Sequence, residues 1–308
     1  YEIHERLVGS EMCIRDRRIR DLIEEGTDPN EIAVLYRAHF HSMELQMELT
    51  RGEIPFRITS GIRFFEQAHI KDVVAFMRFV VNPRDELSFR RMVMLLPGIG
   101  PGMAQKLWIR WAACPESRLE TPPESFSALM LDFPVPAKSK TAWTQLCYTL
   151  DELAPAGKIA GPASMLISIN EAVYDEYMQA AFENYDQRRQ DLLHLAGFSE
   201  RFESTEDFLS QLSLLGNTDD ESAAADLSGG AVTLSTIHQA KGLEWSVVFL
   251  IGLCDGMFPH QRVIDDGDLA GLEEERRLFY VGITRAKDQL YPVSDTHLRA
   301  HETLMNLV

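Results

Sequence analysis

Of the 308 residues only four are cysteine, at positions 13, 114, 147 and 254, and no two form a CxxC pair. Spacing that wide argues against a disulfide framework or a cysteine zinc site and favours free thiols in a reducing compartment. Basic charge is also short: 30 Lys and Arg stand against 47 Asp and Glu, a formal net charge of −17. A broadly basic surface that coats nucleic acid is thereby excluded, and any phosphate contact must be local. No apolar run reaches membrane-spanning length and no secretory pattern opens the chain, so a cytoplasmic protein with no membrane partner is expected. There is no internal repeat. Neither a GxxxxGK[ST] phosphate loop nor an apolar strand ending in an acidic pair is present, so no metal site is expected in these residues.

Two strings carry most of the information. The first, VTLSTIHQAKGLEWSVVFLIGLCDGMFPH from Val232 to His260, reads as strand, turn and strand. Its second strand, VVFLIGL, is a continuous apolar run of the kind buried on both faces in a parallel sheet. The turn places His238, Gln239, Lys241, Gly242 and Glu244 together, either as a solvated crossover or as a polar site at strand ends, where nucleotides bind. The second string, EEERRLFYVGITRAK from Glu273 to Lys287, reads as a helix. Glu273, Glu274 and Glu275 are expected in its first turn, where negative charge complements the helix dipole. Leu278, Val281, Gly282 and Arg285 recur at three- and four-residue steps on one face. The arginine that ends this apolar stripe either reaches a phosphate in a cleft or snorkels to cap the helix.

Upstream, IAVLYRA, an amphipathic helix, PFRIT and a helix around Ile70 to Val81, ended by Asn82-Pro83, follow in order. The loop Pro97-Gly98-Ile99-Gly100-Pro101-Gly102 precedes a further helix. It is either a plain turn between helices or a place where backbone amides approach phosphate closely. RLETPPESFS and FPVPAKSK read as helix breaks or surface loops. AAFENYDQRRQDLLHLAGFSERF and TEDFLSQLSLLG read as helices, and NTDDESAAADLSGG as an exposed return linker. The expected fold is α/β: residues 18–62 and 229–291 form one discontinuous parallel-sheet domain, with a mostly α-helical domain, 63–228, inserted.

The two strings resemble motifs V and VI of the UvrD/Rep/PcrA-type superfamily 1 DNA helicases, in the family's order and spacing. Ile32 to Glu86 resembles the start of that family's second RecA-like motor domain, and LLPGIGPGMAQKLW its duplex-gripping loop. About four fifths of the chain is covered, weakly between 110 and 225. The resemblance implies an ATP-dependent 3′–5′ DNA helicase that uses ATP with Mg2+. Arg285 would then be the arginine finger on the γ-phosphate. Glu244 and Lys241 would belong to the nucleotide site, while His238, Gln239 and Gly242 would couple nucleotide to DNA. Arg37, His39 and His260 would touch the single strand, and Gly98, Ile99, Gly100 and Gly102 the duplex. His39 departs from the asparagine usual in the family.

The family keeps its phosphate loop and magnesium ligands in a preceding motor domain, so this chain is expected to be inactive alone. Residues 1–17 and 292–308 fit no helicase segment and resemble translated adapter read-through; they are expected to be non-native and poorly packed. A helicase subunit of a helicase-nuclease and a non-catalytic DNA-binding module are the alternative readings.

Overall fold

The computed structural model of the chain describes residues 2–3, 11–59, 64–118, 121–216, 230–254, 256–259, 261–265 and 267–294. The chain divides into two compact units, Tyr1–Phe64 with Asn217–Val308, and Phe65–Gly216. The first is built on strands β1 (Glu2–Ile3), β2 (Ile32–Tyr36), β3 (Phe56–Ile58), β4 (Val232–Thr236), β5 (Trp245–Leu250) and β6 (Ala286–Pro292). They form one sheet in the order β1-β6-β5-β2-β4-β3, and every pairing is parallel.

The central strands β2, β4 and β5 are buried on both faces, as parallel strands joined by face-covering crossovers require. On central β2, Ile32, Val34 and Tyr36 point into one core with Ile19, Leu22, Leu45 and Leu49 of the Glu11–Glu24 and Met43–Arg51 helices. Ala33 and Leu35 point into a second core, with Ile237, Ala240, Leu278 and Phe279. This period of two, with every residue of β2 buried, is what a strand covered on both sides requires.

Helices dominate the second unit. Trp111, Phe79, Phe89 and Phe126 pack around one another, and Trp111 Nε1 donates to the carbonyl of Pro83 at 2.8 Å. The phenol of Tyr174 donates to Asp72 Oδ2 at 2.7 Å, and Arg91 Nε donates to the other oxygen of that carboxylate at 2.7 Å. Tyr174 lies in a single turn of π-helix, Asn170–Tyr174.

Several expectations are corrected. The helix expected through AAFENYDQRRQ breaks: one ends at Ala181, the next starts at Tyr185, and Phe182 is extended. Arg188 holds that break by stacking on Phe182, 3.9 Å from the ring centre, and by donating to Asn184 Oδ1 at 3.0 Å. Glu273–Glu275 are not in a first turn, because their helix begins at Leu269, where Asp268 Oδ1 accepts from the Ala270 N–H at 3.1 Å. The poorly packed ends do not run as expected. Glu2 and Ile3 pair with Gln289 and Leu290, and a helix starts at Glu11, ahead of Arg18. At the other end β6 includes Pro292, and Val293 is 1% exposed within the first core. Residues 295–308 and most of the expected linker, 217–229, lie outside the described residues.

Candidate nucleotide and nucleic-acid site

Since the strands all run one way, residues that follow β2 and β4 stand at one edge of the sheet and residues that precede β5 and β6 stand at the other. Tyr36 and Thr236 are register partners, and the Ile237 N–H continues the ladder to the Tyr36 carbonyl at 3.0 Å. Arg37 and His238 therefore emerge side by side. At the opposite edge Trp245 is the register partner of Ala286, which brings Glu244 and Arg285 together. The length of β5, about 16 Å at roughly 3.3 Å per residue, separates the two groups. The turn read as a single cluster is thus divided, with His238 at one edge, Glu244 at the other, and Gln239, Lys241 and Gly242 on the crossover between. Gly242 has φ +87°, a left-handed conformation that favours glycine.

Arg285 directly follows Thr284, the C-cap of the Leu269–Ile283 helix. Its Nε donates to the Val281 carbonyl at 3.1 Å, Nη2 to Thr284 Oγ1 at 3.0 Å, and Nη1 to the Leu243 carbonyl at 3.1 Å. The guanidinium is half-buried and joined to the KGLE turn, in which Lys241 and Glu244 are exposed. Gly282 lets this helix approach the sheet: a Cβ there would lie 3.1 Å from Leu250 Cδ1.

At the other edge the expected DNA contact, Arg37, is already engaged. Its Nε donates to both oxygens of Glu275, at 3.0 and 3.3 Å, and its Nη2 stands 3.0 Å from Oε1. Glu275 is 3% exposed while Arg37 is 27% exposed, so the carboxylate is buried and the guanidinium reaches the surface. Partial burial lowers the pKa of the nearby His238 imidazole, the charge of Arg37 lowers it further, and Glu275 and Glu274 act in the opposite sense. Glu275 was not a candidate on sequence, because its partner lies 238 residues away. His39 opens a short 3-10 turn, His39–Ser42. The side chain of His39, and all of His260, lie outside the described residues.

In the helical unit Gly98 has φ +81°, and Gly100 is the N-cap of the Pro101–Ala112 helix. Gly98, Gly100 and Gly102 are exposed, but Ile99 is 4% exposed, so its side chain belongs to the core and only its backbone is available for contact. The space that a Cβ on Gly98 would fill is taken by the stem of Lys138. Ser139 Oγ fixes that neighbouring segment by donating to the Pro97 carbonyl at 2.6 Å. Lys138, from the FPVPAKSK segment read only as a loop, is a cation beside the glycine loop that sequence reasoning missed. A cavity of about 950 Å³, with Pro97, Gly98, Lys138, Gln145 and Tyr177 among its walls, adjoins the loop.

A six-stranded parallel sheet, helices on both faces and a polar crossover hydrogen-bonded to a helix-terminal arginine define a RecA-like α/β domain. The UvrD-like helicase C-terminal domain matches residues 10–114 and 172–295, and the chain belongs to that family. It is 33% identical over 294 residues to the probable DNA helicase II homolog of Rickettsia conorii, covering 92% of this chain and 43% of the relative. To the ATP-dependent DNA helicase PcrA of Bacillus subtilis it is 34% identical over 275 residues, covering 85% and 36%. To DNA helicase II of Escherichia coli it is 31% identical over 293 residues, covering 89% and 38%. The chain therefore spans about two fifths of the length of these curated relatives. Among the described residues no helix is long and apolar enough to cross a membrane, and no three His, Cys, Asp or Glu are grouped to hold a metal ion.

Proposed function

We propose that this chain is the second motor domain and inserted accessory domain of an ATP-dependent DNA helicase that translocates 3′ to 5′ on single-stranded DNA. The motor part comprises residues 18–62 and 229–291, and the accessory part 63–228. The observation that carries the reading is Arg285: a half-buried guanidinium at a helix end, joined to the turn that presents Lys241 and Glu244.

These residues fit one side of a nucleotide. Arg285 and Lys241 would meet phosphate charge, and Glu244 the ribose or the neighbouring domain. ATP with Mg2+, when bound, supplies the phosphoryl transfer, and its phosphate cradle and magnesium ligands belong to a preceding motor domain, so this chain alone does not hydrolyse ATP. The residues here stabilise transferred charge from the opposite wall and hold the nucleotide in register. At the other edge Arg37 and His238, with His39 and His260, would form the single-strand track through phosphate contact and stacking. Gln239 and Gly242 lie on the crossover that joins the two edges. Backbone amides of Gly98, Ile99, Gly100 and Gly102 would approach duplex phosphates. A net charge of −17 suits such local contacts and makes DNA affinity modest and salt-sensitive.

The test is strand displacement by the full-length protein on duplexes with a single-stranded tail at one end only. Unwinding of the 3′-tailed substrate that requires ATP supports the reading. Unwinding confined to the 5′-tailed substrate overturns the polarity, and failure on both with normal DNA binding leaves a DNA-binding module in its place.

A further inference from the structure

Besides the crossover between β4 and β5, one helix runs between the two edges of the sheet. The Leu269–Ile283 helix carries Glu275 near one edge and is followed, at the other, by Arg285. From Glu275 to Ile283 the axis advances about 12 Å at roughly 1.5 Å per residue. Leu278, Phe279 and Gly282 on this stretch are buried against the sheet, so the helix moves with its packing intact or not at all. Glu275 is the one buried charged residue in the helix, and its carboxylate engages only Arg37 among the described contacts.

A carboxylate that is 3% exposed costs free energy unless it is paired, and a surface ion pair would need no such burial. Its burial fixes the guanidinium of Arg37 at the end of β2, near His238, with the arginine side chain still 27% exposed. The packed helix thus gives a continuous path from the Arg285 end to Glu275, and from there to Arg37.

We propose that the Glu275–Arg37 pair is the link through which the nucleotide edge of this domain acts on its DNA edge, with Glu275 as a positioning residue for Arg37. The inference rests on the helicase reading above. It makes Arg37 more than a phosphate contact: the orientation of its guanidinium, and so its grip on the strand, follows the state of the nucleotide.

The experiment measures affinity of the full-length protein for a fluorescent oligo-dT by anisotropy, with and without a non-hydrolysable ATP analogue. The ratio of the two affinities is the coupling, in wild type of the order of tenfold in either direction. Glu275→Gln keeps shape and removes charge; it is expected to bind the oligonucleotide but to bring the ratio within about twofold of unity. Glu275→Asp keeps the buried charge and the Arg37 side chain but shortens the reach between them, so it is expected to move the ratio toward unity as well should Glu275→Gln fail to fold. A ratio unchanged in a folded variant that still binds DNA overturns the inference alone. Wild-type protein that binds no DNA overturns the helicase reading and the inference together.

Discussion

Arg285 encloses Glu244 from both sides: its carbonyl accepts from the Trp245 N–H at 3.0 Å, and its guanidinium Nη1 donates to the Leu243 carbonyl at 3.1 Å. A residue at the end of one helix thereby holds the backbone on both sides of Glu244 in a separate crossover. Both lie where β5 and β6 begin, whereas Arg37 and His238 lie where β2 and β4 end. On the proposed reading the division puts nucleotide contact and strand contact at opposite edges of one sheet, and the measurable consequences differ between the two.

At the packing level Gly282→Ala is the sharpest probe. The added methyl would stand 3.1 Å from Leu250 Cδ1 and 3.8 Å from Ile237 Cδ1. Overpacking of this size costs about 1 kcal/mol. A urea titration should show that the helix-propensity gain of Ala over Gly, about 1 kcal/mol, is offset by this crowding, with no change in the slope of the transition; a stability gain of the full propensity value would mean that Leu250 gives way freely.

Tyr174→Phe tests the polar interior of the helical unit. The phenol is fully buried, and both burial and the Asp72 carboxylate raise its pKa, so it remains a proton donor at any ordinary pH. Removing it leaves Asp72 with Arg91 alone and should cost about 1–2 kcal/mol, read from the same denaturant titration.

The titration of His238 reports on the strand edge. Its pKa is lowered in the folded chain, chiefly by burial and next by Arg37. The unfolded chain then takes up the proton first, so this residue makes the native state less stable as pH falls through the ordinary value of about 6.5. Nuclear magnetic resonance should find its midpoint below that value. Arg37→Ala should raise the midpoint and Glu275→Gln should lower it further; a midpoint above the ordinary value contradicts the arrangement.

Continuous apolar runs made much of the sheet legible: IAVLY and VVFL are buried on both faces, and a strand with that demand has few alternatives. β6 was not legible, because Lys287 and Asp288 are exposed and only Ala286, Leu290 and Tyr291 of AKDQLYP are buried. The break at Phe182 lacks both glycine and proline, and it depends on Arg188, which no local pattern reveals. Glu275 was misread for a related reason. Three glutamates in a row look like the charge of a first turn, but the cap is Asp268, and burial of the third glutamate is decided by Arg37 across the sheet. Among the candidate residues, motif spacing singled out Arg285 and the KGLE turn as candidates but could not say that His238 and Glu244 face opposite edges, since that follows from strand register.

The most direct test of the account is the DNA-stimulated ATPase activity of the full-length protein carrying Arg285→Ala. Among the described residues the guanidinium bonds only to nearby carbonyls and to Thr284, so folding and oligonucleotide binding should persist. Turnover at saturating DNA should fall by about 10³-fold or more, the scale of a lost arginine finger. Turnover equal to wild type would contradict the assignment of Arg285, and with it the placement of the nucleotide at this edge of the sheet.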